Sequence, residues 1–122
     1  MKLVICEKPS VAKAVASALG VTSRADGCFE GNGLIVSWCV GHLVSPMDAA
    51  GYNPGYKKWK YDDLPILPEP FRYVLAKDKE DAFQNLKRLM DREDVTELVN
   101  ACDAGREGEL IFRLVYEMAG CR

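Results

Sequence analysis

Residues 95–102, VTELVNAC, run directly into Asp103-Ala104-Gly105-Arg106-Glu107-Gly108-Glu109 and then into LIFRLVYEM. The first segment is an apolar run of strand length that ends at a carboxylate. In the last, Leu110, Ile111, Leu114, Val115 and Met118 recur at helical spacing, so a helix is expected over 107–119 with those five inward and Gly120 as its stop. Strand, acidic loop and helix together make one α/β unit. A second unit opens the chain. Residues 2–6, KLVIC, read as a buried strand ending at Glu7. Pro9 breaks that run, and Ser10 is expected to cap a helix through Leu19, with Gly20 beyond it and Val11, Ala14, Val15, Ala18 and Leu19 as its packing face.

Between these units lie a hairpin, a long irregular stretch and a third strand and helix. Asn32-Gly33 is the preferred two-residue turn, since both positions accept positive φ, and it sets Gly31 opposite Leu34 and Phe29 opposite Val36. From His42 to Pro70 the periodicity disappears and Gly and Pro punctuate the chain, which reads as a long ordered loop with Trp59 pinning it to the domain. Residues 71–76, FRYVLA, read as a strand. Residues 79–91 read as a helix capped by Asp78, with Phe83, Leu86, Leu89 and Met90 on one face. Helices alternating with apolar strands give the fold class: α/β, an open and mostly parallel sheet flanked by helices, with a β-hairpin and a long ordered loop.

At 122 residues the chain fits one domain with one real core. Sixteen Lys and Arg against eighteen Asp and Glu leave a net charge of −2, which excludes a grip on nucleic acid by bulk positive charge. The five cysteines, Cys6, Cys28, Cys39, Cys102 and Cys121, form no C-x-x-C pair and read as reduced thiols. No apolar run approaches a membrane span, and Met1-Lys2 leads straight into a strand, so no membrane contact and a cytoplasmic location are expected. There is no phosphate-binding loop of the G-x-x-x-x-G-K-[ST] type, no dinucleotide fingerprint and no G-x-S-x-G elbow.

In open α/β sheets the ligand site lies beyond the carboxyl ends of the parallel strands. Strand polarity puts Glu7 and Asp103 on that rim, where they meet if their strands are neighbours. Asp103, Glu107 and Glu109 crowd three carboxylates into seven residues, and such a group repels itself unless a cation or an arginine compensates. A hard divalent cation is the economical answer, since Mg²⁺ is held by one or two carboxylates with water and phosphate. The plain alternative is an acidic first helical turn favoured by the macrodipole. Lys8 and Arg106 read either as phosphate contacts or as ordinary solvated and ion-paired cations. Tyr56-Lys57-Lys58-Trp59-Lys60-Tyr61 has the composition of a base-stacking, backbone-tracking segment, although a structural role for it ranks ahead. His42, after Val40-Gly41, reads as a structural histidine whose claim to function rises beside a phosphate.

These residues also carry a resemblance. Glu7-Lys8-Pro9-Ser10 combined with Asp103-Ala104-Gly105-Arg106-Glu107-Gly108-Glu109 resembles the Toprim domain of type IA DNA topoisomerases, and the topoisomerase III branch most. Ser37-Trp38-Cys39-Val40-Gly41-His42-Leu43 and Tyr56-Lys57-Lys58-Trp59 look like that branch too. The resemblance covers essentially the whole chain and implies a Rossmann-like Toprim fold, residues 1–122 forming a single domain. It implies Mg²⁺ as cofactor, single-stranded DNA as substrate, and further domains of the same topoisomerase chain as partners. Glu7 would then be the general acid toward the leaving 3′ oxygen and a neighbour of the metal, and Asp103 and Glu107 would hold the metal. Lys8 would contact the scissile phosphate and stabilise the transition state, Arg106 would help position the site and contact the DNA, His42 would contact the DNA, and Glu109 would have a lesser role.

Two departures qualify what is implied. The family pattern D-x-D-x-E has its middle carboxylate replaced by Gly105, which removes one candidate ligand. The family's nucleophilic tyrosine stands in a separate domain, and Tyr52, Tyr56, Tyr61, Tyr73 and Tyr116 do not match its context. The chain is therefore expected to be an N-terminal piece of a longer topoisomerase that neither cleaves nor relaxes DNA alone. The rival readings are a Toprim primase or nuclease, which would nick DNA without a tyrosine, and a metal-free docking domain.

Overall fold

A computed structural model of the chain describes residues 1–58, 60–68 and 70–120. The expected pinning role of Trp59, and Cys121, lie outside the described residues. Strand β1 (Lys2–Cys6) leads into helix α1 (Pro9–Ala18), then β2 (Arg24–Ala25), β3 (Cys28–Gly31) and β4 (Leu34–Trp38). β5 (Val44–Pro46) and a short helix α2 (Ala49–Tyr52) follow, then two 3₁₀ turns at Pro54–Lys57 and Tyr61–Asp63. The chain continues through β6 (Tyr73–Leu75), α3 (Glu80–Met90), β7 (Glu97–Ala101) and α4 (Arg106–Met118).

The main sheet has the order β2-β3-β4-β1-β7. β1 lies between β4 and β7 and is parallel to both, with Cys6 beside Trp38 on one side and Ala101 on the other. A strand in that position is covered on both faces, which is why KLVIC is a continuous apolar run. Leu3 and Ile5 pack into the cluster that contains Leu86, Ile111 and Val115, whereas Val4 and Cys6 pack with Ala12, Ala16 and Val36. The expected α/β sheet with helices on both faces is what forms.

The hairpin register follows the turn. Asn32 (φ 51°) and Gly33 (φ 76°) both take positive φ, and Gly31 pairs with Leu34 and Phe29 with Val36. Ser37 is the one fully buried polar side chain among the described residues, and its hydroxyl donates to the Gly27 carbonyl at 2.8 Å. Asn85 of α3 donates to the same carbonyl at 2.9 Å, so the turn before β3 is tied to α3.

Several expectations need correction. The stretch after His42 is not one loop: β5 pairs antiparallel with β6 in a separate two-stranded sheet, with Val44 beside Leu75. FRYVLA therefore contributes only Tyr73–Leu75 as strand, and outside the main sheet, because its partner is β5. Ser10 does not cap α1. Lys8 holds that position and Pro9 starts the helix, where its missing N–H costs nothing. The buried face of α1 is Ala12 and Ala16, flanked by the half-buried Val11 and Val15, while Ala14, Ala18 and Leu19 are exposed. Small residues at the contact let the helix lie close to the sheet.

α3 begins after Lys79, not Asp78, and buries the four residues expected of it. In α4 the buried stripe is Gly108, Ile111, Phe112 and Val115, with Leu114 beside it, and Leu110 and Met118 are exposed. The stripe is rotated because Gly108 is the point of closest approach, and positions three, four and seven residues beyond it must face the same way.

Candidate metal centre

β1 and β7 are adjacent and parallel, so Glu7 and Asp103 leave the sheet side by side at its carboxyl edge. The side chain of Glu7 is hydrogen-bonded to Asp103, and that bond is the main cause of a Glu7 carboxyl held above its ordinary value. Partial burial and the Asp103 charge push the same way, against Lys8 and His42. The negative charge of Asp103 disfavours ionisation of Glu7 beside it, and a cation at this edge would relieve that repulsion. Glu7, Lys8, Gly41 and Asp103 line an open cleft of about 430 Å³. A larger cleft of about 500 Å³ lies elsewhere, along the outer edge of β7 between Leu98, Phe112 and Tyr116, and it contains none of these carboxylates.

The loop after β7 can bring α4 this near to Asp103 only because residue 108 is glycine. A Cβ there would fall 2.8 Å from the Asp103 carbonyl carbon and 2.9 Å from its amide nitrogen. Gly105, at the N-cap of α4, is different. Its backbone is extended (φ −176°) and an added Cβ would meet nothing within 4 Å.

Glu107 and His42 form a pair of their own, with His42 Nε2 2.9 Å from Glu107 Oε2. The backbone of His42 is held as well, because Lys79 Nζ donates to its carbonyl at 3.1 Å. Glu109 is turned to structural work. It accepts from Asn100 Nδ2 at 2.9 Å and from Arg113 at 2.9 Å, which joins the first turn of α4 to β7. Arg106, the first residue of α4, is exposed and makes no side-chain hydrogen bond or ion pair among the described residues.

Of the residues singled out in the sequence, the structure thus gathers Glu7, Lys8 and Asp103 and links His42 to Glu107. Among the described residues no three His, Cys, Asp or Glu side chains converge as a metal cluster. The donor set nevertheless fits Mg²⁺. The Glu7–Asp103 pair offers only oxygen donors, and Mg²⁺ commonly takes only one or two carboxylates with water and phosphate completing its shell. Sequence reasoning did not find the His42–Glu107 pair or the contact of Gly108 with Asp103. The Gly41-His42 step just past β4 was the available signal for the first, and its partner was not legible.

The Toprim domain family matches residues 2–121 of the chain. DNA topoisomerase 3 of Shouchella clausii is 45% identical over 118 residues, covering 97% of this chain and 16% of that protein. DNA topoisomerase 3 of Bacillus subtilis is 42% identical, covering 98% of this chain and 16% of that protein, and that of Staphylococcus epidermidis is 41% identical, covering 97% and 17%. The chain thus spans about a sixth of the length of the curated relatives it matches.

Proposed function

The chain belongs to the Toprim domain family, and from that premise we propose that it is the Mg²⁺-binding domain of a type IA DNA topoisomerase of the topoisomerase III kind. In the intact protein that activity is the ATP-independent cutting of one DNA strand, passage of another and religation. The observation that carries the reading is the hydrogen-bonded Glu7–Asp103 pair at the carboxyl edge of the central parallel strands. Residues 1–122 form one domain in this reading, and the remaining domains of the same chain supply the nucleophilic tyrosine and most of the grip on single-stranded DNA.

Glu7 is the proton donor. Its carboxyl, held above its ordinary value by the hydrogen bond to Asp103, is suited to give a proton to the 3′ oxygen that leaves when the strand is cut and to take it back on religation. Asp103 and Glu107 would hold Mg²⁺, with Glu7 beside them, and the bound ion would offset charge on the phosphate oxygens. Lys8 sits in the same cleft as Glu7 and meets the scissile phosphate with its positive charge. Arg106, exposed at the head of α4, supplies a planar fork for a phosphate. His42 orients Glu107 and stands ready for the DNA backbone. The protein acts in the cytoplasm, where its DNA lies.

An amide NMR titration with Mg²⁺ tests this, with Asp103→Asn as control and a repeat in the presence of a short phosphate-bearing single strand. Shifts confined to the surroundings of Glu7 and Asp103–Glu107, and lost in the variant, are expected. No response in either titration would favour a metal-free docking domain, and metal-dependent nicking by this chain alone would favour a nuclease.

A further inference from the structure

Lys79, the residue before α3, has no part in the mechanism above, yet it is fastened beside the same cleft. The Ala76 amide donates to the Leu43 carbonyl at 2.9 Å and the Lys79 amide to the Ala76 carbonyl at 3.1 Å. The turn between β6 and α3 is thereby tied to the segment that follows His42. The Lys79 side chain is half-buried, and its Nζ donates to the His42 carbonyl at 3.1 Å.

The neighbouring wall of the cleft is bare backbone. Gly41 lines the cleft with Glu7, Lys8 and Asp103, and its amide donates to the Glu7 carbonyl at 3.3 Å. A Cβ on Gly41 would stand 3.7 Å from Lys79 Nζ. The ammonium therefore lies against the residue that forms this wall, and that residue has no side chain to screen it. Lys8 reaches the cleft from the end of β1, and Lys79 approaches it from the start of α3.

A carbonyl occupies one of the three N–H donors of an ammonium and leaves its charge unanswered. Asp78, Glu80 and Asp81 adjoin Lys79 in the chain, yet among the described residues its ammonium pairs with no carboxylate. A cation drawn half out of solvent without an anion, beside a cleft that already holds Lys8, suits an anion that arrives with the ligand. We infer, on the reading of this cleft as a DNA phosphate site, that Lys79 is its second strand-holding lysine. Its remaining N–H donors take a phosphodiester of the bound single strand, while the bond to the His42 carbonyl keeps it in place. Lys79 is a binding residue and takes no part in the proton transfer.

Fluorescence anisotropy of a short phosphate-bearing single strand, at fixed Mg²⁺ and stepped salt, tests this. Lys79→Met should weaken binding about fivefold and make the slope of log affinity against log salt shallower, by at most about 0.7, the share of one phosphate contact on a single strand. Lys79→Gln, which keeps a donor without the charge, should lose as much. Lys87→Met removes a lysine paired with Asp91 toward the other end of α3, and it should change neither quantity. Because Lys79 also holds His42, Lys79→Met is repeated in a His42→Ala chain, where it should cost the same factor again. Native binding matched in affinity and slope by both Lys79 variants would overturn this inference alone. So would a loss that vanishes in the His42→Ala chain, since Lys79 would then act only through His42. A native chain that binds no strand at any salt concentration would overturn both the inference and the phosphate-site reading.

Discussion

Gly108 lies so close against the backbone of Asp103 that a Cβ would stand 2.8 Å from its carbonyl carbon. That contact seats the first turn of α4 on the end of β7, and with it the Asp103 carboxylate beside Glu7. Gly108→Ala must therefore push α4 away from the strand end. Overpacking against rigid backbone should cost about 3 kcal/mol, measured by denaturant unfolding. Any Mg²⁺ response at Glu7 should fade with it. A stable Gly108→Ala chain with an unchanged Mg²⁺ titration would mean that the site does not depend on this seat.

Gly105→Asp should do the opposite. The position is extended and open, and it is the N-cap of α4, where aspartate is favoured. Stability should change by no more than about 0.5 kcal/mol. Mg²⁺ should bind more tightly, because the loop regains a third carboxylate near Asp103. Calorimetric titration of the two chains makes the comparison, and equal or weaker affinity in the variant counts against Asp103 as a ligand.

The Glu7–Asp103 pair also predicts a pH dependence with a definite sign. The folded chain holds the Glu7 proton more tightly than the unfolded chain does, because the folded value lies above the ordinary 4.5. Its contribution to stability is thus complete below pH 4.5 and is lost as pH rises through the folded value. Mg²⁺ has the reverse profile, since it competes with the Glu7 proton and binds better as pH rises. Unfolding curves at stepped pH should show that loss in the native chain, and Asp103→Asn should reduce it. Identical profiles would remove Asp103 as the cause of the raised Glu7 value.

His42→Ala separates position from fold. The His42–Glu107 pair is substantially exposed, at 43% and 63% of the side chains, so stability should fall by less than about 1 kcal/mol. Affinity for a phosphate-bearing single strand in Mg²⁺ should drop about tenfold, the loss of one charge-assisted contact. A fluorescence anisotropy titration reads it directly, and unaltered affinity would leave His42 as a surface residue only.

The isolated chain should not relax negatively supercoiled plasmid at any Mg²⁺ concentration. Its five tyrosines, Tyr52, Tyr56, Tyr61, Tyr73 and Tyr116, do not match the family's nucleophile. Gel electrophoresis after incubation decides it. Relaxation would place a nucleophile inside these residues.

By itself the sequence determined what depends on near neighbours. The alternation of strand and helix, the apolar run of β1, the Asn32-Gly33 turn and its register, and the carboxylates at the ends of β1 and β7 are all local. So is the buried face of α3, because four apolar residues at helical spacing leave little choice. Tertiary structure alone decided the rest, because each remaining feature joins residues far apart in the chain. β6 left the main sheet for β5, and α4 turned about its axis so that Gly108, not Leu110, met the strand end. Glu107 turned to His42, 65 residues away. A carboxylate at the end of a strand can be read from its own segment; which group it stands beside depends on which strand packs next to its own.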